Sequence, residues 1–253
     1  MSRNFELLQR AGWDQDYFVN PASEPPPPPN PSRGPEKEAV RAVVKSDGAQ
    51  NIVRRVFLAR GQNTPRMVVF AGVSRDAGCS SICASTALAL AAQASERVCV
   101  VDANTSNPRL HREFGRENVA GLADAMLRGR PLPAFTKQID PHNLWLLTAG
   151  NRPEKNGFAL SASADLEACG HELRAAFGFV LIDAPAIATS NDALALSRMS
   201  DGAILVLESS ATPRHTALQA KQRIEATNTP VLGVVLRDDS DSYPNLLQQL
   251  LGS

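Results

Sequence analysis

From residue 67 onward the chain repeats a single pattern: an apolar run of strand length, then a longer stretch whose apolar residues recur at helical spacing. Strands are read at 67–71, 98–102, 144–148, 179–183, 203–207 and 231–236, and helices at 80–94, 121–128, 165–176, 191–198 and 214–227. Each crossover has the dozen or more residues that a right-handed βαβ unit needs. The apolar runs are nearly continuous rather than alternating, as expected of strands buried on both faces. The predicted fold is therefore α/β: a doubly wound, mostly parallel sheet flanked by helices on both faces. With 43% hydrophobic but only 5% aromatic residues, its core is aliphatic.

The N-terminal part is different. Residues 21–35 carry an unbroken proline run at 25–29, which cannot donate backbone hydrogen bonds and favours an extended spacer. The same run is also a ligand type for SH3-like or WW-like modules. Ahead of it, Phe5, Leu7, Leu8, Trp13, Phe18 and Val19 define a short amphipathic segment, either a docking element or a disordered tail. Residues 36–58 read as two helices broken near Asp47 and Gly48. The domain plan is thus a 1–20 segment, a 21–35 linker, a 36–240 nucleotide-binding-type domain and a 241–253 tail.

Lysine plus arginine (26) balance aspartate plus glutamate (26), which leaves no global basic field for nucleic acid. No window approaches the roughly 18–20 apolar residues of a membrane span, and no secretory leader is read. The four cysteines form no CxxC pair, so reduced thiols and a cytoplasmic location are expected, with any inner-membrane association made through a partner.

The chemistry concentrates where the strand MVVFAG runs through VSRDAGCSS into an alanine-rich helix. Strand, tight loop and helix start bring backbone N–H groups together on an anion. Against the phosphate-loop pattern GxxxxGK[ST], Gly78 takes the second glycine and Ser80 the Mg²⁺-binding hydroxyl, while Cys79 stands where the lysine belongs. Two later strands end in Asp102 and Asp183, positions where carboxylates hold Mg²⁺ and its waters in such folds. Taken singly, each acid reads equally as a helix cap or strand stop. Cys79 has two readings as well: a helix-start thiolate of lowered pKa, or a small inert filler. Cys83 follows one turn later, and two ligands alone do not make a zinc site.

Five stretches in order, VVDANTSNPRLHREFG, GLADAMLRG, LTAGNRPEKNGFALSASADLEA, FVLIDAPAIATSNDALALSRMSDGAILVLE and VLGVVL, resemble the cytoplasmic domain of bacterial tyrosine kinases of capsule and exopolysaccharide export. These are P-loop proteins of the deviant-Walker group. The resemblance implies ATP and Mg²⁺ bound by Arg75, Asp76, Ala77, Gly78, Cys79, Ser80 and Ser81, with metal at Ser80, Asp102 and Asp183. It also implies a membrane-embedded polysaccharide co-polymerase or chain-length determinant as partner, and homo-oligomer formation. In an active enzyme Asp102 would be the catalytic base toward a tyrosine hydroxyl.

The chain departs from that family where the chemistry lies. The family's loop resembles PGEGKST; here it is Arg75 to Ser81, RDAGCSS, with no lysine and with Asp76 adding negative charge. At an effective dielectric near 20, a like charge at ~4 Å costs on the order of 4 kcal/mol, so tight ATP binding is not expected unless Arg75 substitutes. The family's tyrosine cluster is reduced to Tyr243, with Tyr17 as the only other tyrosine. The ring-forming helix corresponds to NIVRRVFLA, which keeps Arg54 and Arg55 without the glutamate. The expected function is a degenerate, kinase-like regulatory or scaffold subunit of polysaccharide export. The alternatives are an active tyrosine autokinase and a positioning or partition-type ATPase switch, whose cross-dimer lysine would fall at Ser74.

Overall fold

The computed structural model describes residues 18–19, 47–59, 64–75, 77–139, 143–150, 160–162, 165–208 and 212–237. The strands are β1 (Phe18–Val19), β2 (Met67–Gly72), β3 (Val98–Asp102), β4 (Lys137–Ile139), β5 (Leu144–Leu147), β6 (Phe179–Ala184), β7 (Gly202–Glu208) and β8 (Val231–Arg237). They form one sheet in the order β1-β8-β7-β2-β6-β3-β5-β4. Every pairing is parallel except β4 with β5. The helices are α1 (Asp47–Ile52), α2 (Cys79–Ala91), α3 (Leu110–Glu113), α4 (Leu122–Arg128), α5 (Leu166–Ala176), α6 (Asp192–Arg198) and α7 (Arg214–Glu225).

Strand alternation divides the core into two layers. On β2, Met67, Val69 and Ala71 pack with α4, α5, α6 and α7, whereas Val68 and Phe70 pack with α1, α2 and α3. Successive side chains on a strand point to opposite faces, so a run such as MVVFAG, buried throughout, requires helices on both sides. The doubly wound parallel fold read from the sequence is the fold observed, and the six predicted strands agree with it to within about one residue at each end.

Several short elements went unread. The antiparallel strand β4 is three residues long, with Lys137 and Gln138 exposed and only Ile139 buried, too short for a periodic signal. Helix α3 is a single turn. Of the two helices expected over 36–58, the second is α1, which begins at the Asp47-Gly48 break and passes into a π-helical turn, Val53–Phe57. The first expected helix, the 21–35 linker and the 241–253 tail lie outside the described residues. From the 1–20 segment only β1 is described, and it extends the sheet edge with Phe18 opposite Val234.

At the N-terminal ends of the strands, Asp201 ties β2 to β7 and α5. It accepts hydrogen bonds from the Arg66 and Met67 amides at 2.7 and 2.8 Å and from the Arg174 guanidinium at 3.0 and 2.8 Å. Partial burial alone would raise its pKa, but the Arg174 bonds and then the two amides outweigh that and hold it below the ordinary value. A depressed carboxylate pKa contributes stability above its unfolded value, near 3.9, that is lost as pH falls through the folded one. Asp201→Ala is therefore expected to lower the unfolding free energy by about 1 kcal/mol at pH 7, the carboxylate being one-third exposed. In urea melts that difference from wild type should shrink as pH falls below the ordinary carboxylate range.

Candidate nucleotide site

β6 lies between β2 and β3, so the loop leaving β2 meets the ends of both acid-bearing strands. Asp102 and Asp183 are direct register partners across β3 and β6. The sequence thus placed two carboxylates in series, and the sheet order sets them side by side beneath the start of α2. Both are fully buried.

Their surroundings differ. Asp102 accepts three backbone hydrogen bonds, from Asn104 at 3.2 Å and from Arg109 and Leu110 at 3.0 Å each. Burial and then the nearby Asp183 charge push its pKa up against those amides. Neither oxygen of Asp183 has a hydrogen-bond partner. Burial raises its pKa to about 7, even though the adjacent Ser80 hydroxyl and Cys79 thiol favour the charged form. Two buried carboxylates this close do not both carry full charge at neutral pH.

The loop is held where it leaves β2. Val73 N donates to Val206 O at 3.0 Å, and Ile187 N donates to Gly72 O at 3.0 Å. Gly78 precedes α2 with φ 72° and ψ 23°, the left-handed region that glycine enters without strain. No side chain caps α2, so its first-turn amides are available to an anion or to water. The cleft is lined by Gly78, Cys79, Ser80, Ser81 and Asp183, with Ser74, Arg75, Arg109 and Glu113 around them. It is open to solvent, with room for a few waters in its depth, about 50 Å³.

Cys79 behaves as a filler. Burial, then the charges of Asp183 and Cys83, raise its thiol pKa well above the usual value, the reverse of a reactive helix-start thiolate. Cys83 is raised likewise by burial and by both acids. All four cysteines are free, and no metal-binding cluster occurs among the described residues.

Of the predicted loop residues, Gly78, Cys79, Ser80 and Ser81 line the cleft. Arg75 also lines it but is exposed, and Ala77 is buried. Asp76, Tyr17 and Tyr243 lie outside the described residues. Arg54 and Arg55 are exposed on the π-helical turn after α1, where Arg54 hydrogen-bonds Asn51.

Sequence reading missed Glu113 and Arg109, which also line the cleft. Glu113 comes from α3, eleven residues beyond Asp102, and accepts a hydrogen bond from Ser81 at 2.7 Å. Burial raises its pKa, opposed by that hydroxyl and by Arg109. Only the fold of the segment after β3 turns it toward the loop.

These residues fit Mg²⁺ on one side and fall short of a nucleotide on the other. Asp183, unpartnered and buried beside Ser80, is the kind of oxygen donor Mg²⁺ takes. The phosphate side keeps the glycine turn and uncapped amides but has a neutral thiol at the lysine position.

Sheet order, loop and strand-end acids together define a P-loop nucleotide-binding fold. Residues 66–232 match the profile of the cellulose biosynthesis protein BcsQ, and the chain belongs to that family. Among curated proteins it is 26% identical over 193 residues to the tyrosine-protein kinase YwqD of Bacillus subtilis, covering 76% of this chain and 81% of YwqD. It is 29% identical over 173 residues to the succinoglycan biosynthesis transport protein ExoP of Rhizobium meliloti, covering 68% of this chain and 22% of ExoP. Among solved structures, the chimeric protein CapA2B2 superposes with TM-score 0.75 at 22% identity, covering 93% of this chain and 98% of that one. The septum site-determining protein MinD of Pyrococcus horikoshii, complexed with Mg-ADP, superposes with TM-score 0.59 at 20% identity, covering 74% and 77%. The expected resemblance to bacterial tyrosine kinases and the P-loop fold are thus both found. Among the described residues no helix is long and apolar enough to cross a membrane.

Proposed function

We propose that this chain is a kinase-like regulatory or scaffold subunit of a bacterial polysaccharide synthesis and export complex, with impaired phosphoryl transfer. One observation carries the reading: the first residue of α2 is a half-buried, neutral thiol beside Asp183, where phosphoryl transfer calls for a lysine ammonium. The family profile and the YwqD and ExoP matches support the polysaccharide setting. In ExoP the matched region is a minor part of a longer transport protein, so the membrane-embedded co-polymerase is the natural partner class. The chain would act in the cytoplasm, reaching the inner membrane through that partner.

The test is a calorimetric titration with Mg-ATP, run beside a hydrolysis assay. Binding should not saturate in the micromolar range and turnover should be negligible; micromolar affinity removes the reading. Residual metal-dependent binding should be stronger at pH 8 than at pH 6, because Asp183, with a pKa of about 7, is then ionised.

A second reading, an active tyrosine autokinase, is favoured by the unpartnered Asp183 next to Ser80, an arrangement suited to Mg²⁺. Bound Mg-ATP would supply the phosphoryl group, Asp183 and Ser80 would hold the metal, and Asp102 would be the base. Asp102 is the weaker part of this reading, since three amides already occupy its oxygens. Phosphate appearing on Tyr243 or Tyr17 after incubation with ATP, and absent in Asp102→Asn, would select the autokinase.

A further inference from the structure

We infer that Glu113 is a ligand-selecting residue of this cleft: its carboxylate takes the Ser81 hydroxyl and keeps a negative charge at the start of α2, disfavouring nucleoside di- and triphosphates independently of the lysine missing at position 79. This role deepens the proposed reading and rests on it, the cleft being there a weakened polyphosphate site.

The Ser81 hydrogen bond shows the competition. Ser81 is the third residue of α2 and one of the residues that the family resemblance assigns to ATP; both it and Glu113 line the cleft. A hydroxyl has one proton to donate, and an ionised carboxylate can only accept. Ser81 gives its proton to Glu113 over 2.7 Å. A phosphate oxygen arriving there meets a like charge and a hydroxyl whose donor is already used. The uncapped first turn of α2 is positive and favours a nearby anion. Glu113 supplies one from within the chain, and its backbone is anchored: Leu110, at the other end of α3, and the following Phe114 are both fully buried.

The charge balance of the cleft turns on the same residue. Among the described residues, the charged side chains lining it are Arg75, Arg109, Glu113 and Asp183. Arg109 is shared between the two acids, its charge acting on both, and Arg75 is exposed. Arg237 packs against Gly78, where a Cβ would lie 2.5 Å from its Nη1, but it does not line the cleft. Two cations thus face two acids, and no charge is left over to offset a polyphosphate. A neutral residue at position 113 leaves one positive charge in excess.

The experiment is a Mg-ADP titration of the full chain up to millimolar ligand, at pH 8, far above the ordinary carboxylate range. The proteins are wild type, Glu113→Gln and Glu113→Ala, each with and without Cys79→Lys, and thermal melts check that all are folded. Glutamine keeps the size of the side chain and an acceptor for Ser81 while removing the charge. Glu113→Gln should raise affinity by about tenfold in both backgrounds, the open cleft screening part of a larger Coulombic effect. The gain should shrink between about 0.05 M and about 0.5 M salt, as charge effects do. A purely structural tie between α3 and α2 predicts otherwise: a lower thermal midpoint in Glu113→Ala, and affinity unchanged in both variants.

A gain missing from either background, a loss of affinity in Glu113→Gln, or no saturable binding by any of the proteins overturns the role of Glu113. Micromolar wild-type binding that Glu113→Gln tightens further would instead remove the impaired-kinase reading and leave that role intact. Weak wild-type binding raised by Cys79→Lys but unmoved by Glu113→Gln would do the opposite.

Discussion

Cys79→Lys is expected to raise Mg-ATP affinity by about a hundredfold over wild type, while Cys79→Ala leaves it unchanged. The fold has kept the parts of the cradle that depend on backbone: the left-handed turn at Gly78, the uncapped α2 amides and the strand-end acids. What position 79 lacks is charge. A cation about 4 Å from a phosphate oxygen gains on the order of 4 kcal/mol at an effective dielectric near 20, close to three decades in affinity. Part of that goes to desolvating the ammonium and to its attraction to Asp183, which is why about two decades remain. The measurement is calorimetry on the three proteins side by side. If the lysine variant gains nothing, the cradle is unsuited to phosphate for reasons beyond its missing cation, and the proposed origin of the impairment is wrong.

Gly121→Ala should be among the most destabilising single-methyl additions in the protein, costing about 3 kcal/mol and lowering the thermal midpoint by about 10 °C. A Cβ at Gly121 would lie 1.9 Å from Thr148 O, 2.6 Å from its carbonyl carbon and 2.7 Å from Gly150 N. These are backbone atoms on the segment leaving β5, so no side chain can swing away. The same approach carries a lattice of bonds that would have to yield. Leu122 N donates to Thr148 O at 2.8 Å, Ala123 N to Ala149 O at 3.0 Å, and Gly121 N to Asp124 Oδ2 at 3.1 Å. Asn118 clasps Gly150 through both its carbonyl and its amide. Gly129→Ala is the control: nothing lies within 4 Å of its Cβ position, so only the cost of φ 57° applies, about 1 kcal/mol. Equal midpoints for the two variants, read by calorimetry or circular dichroism, would refute the steric account.

The cradle and the Gly121 clasp were legible to different degrees. The loop after β2 announced itself, because a strand, a small-residue turn and an alanine-rich helix in succession have few other uses. That Asp102 and Asp183 end strands was equally plain from the apolar runs before them. Their pairing was not, since they are 81 residues apart and become neighbours only because β6 inserts between β2 and β3. GLADAMLRG was recognisable as a phrase, but nothing in it says that Gly121 touches the backbone beyond β5.

Local periodicity and punctuation by themselves determined the strand and helix succession, the doubly covered sheet, the position of the phosphate loop and the absence of its lysine. These follow from residues within one turn or one strand of each other. Tertiary structure alone decided that Asp183 is left without a partner while Asp102 is held by three amides. It alone brought Glu113 to Ser81 and laid Arg237 against Gly78. Each of those depends on which strand neighbours which, and strand order is set by packing across the whole sheet rather than by any one segment.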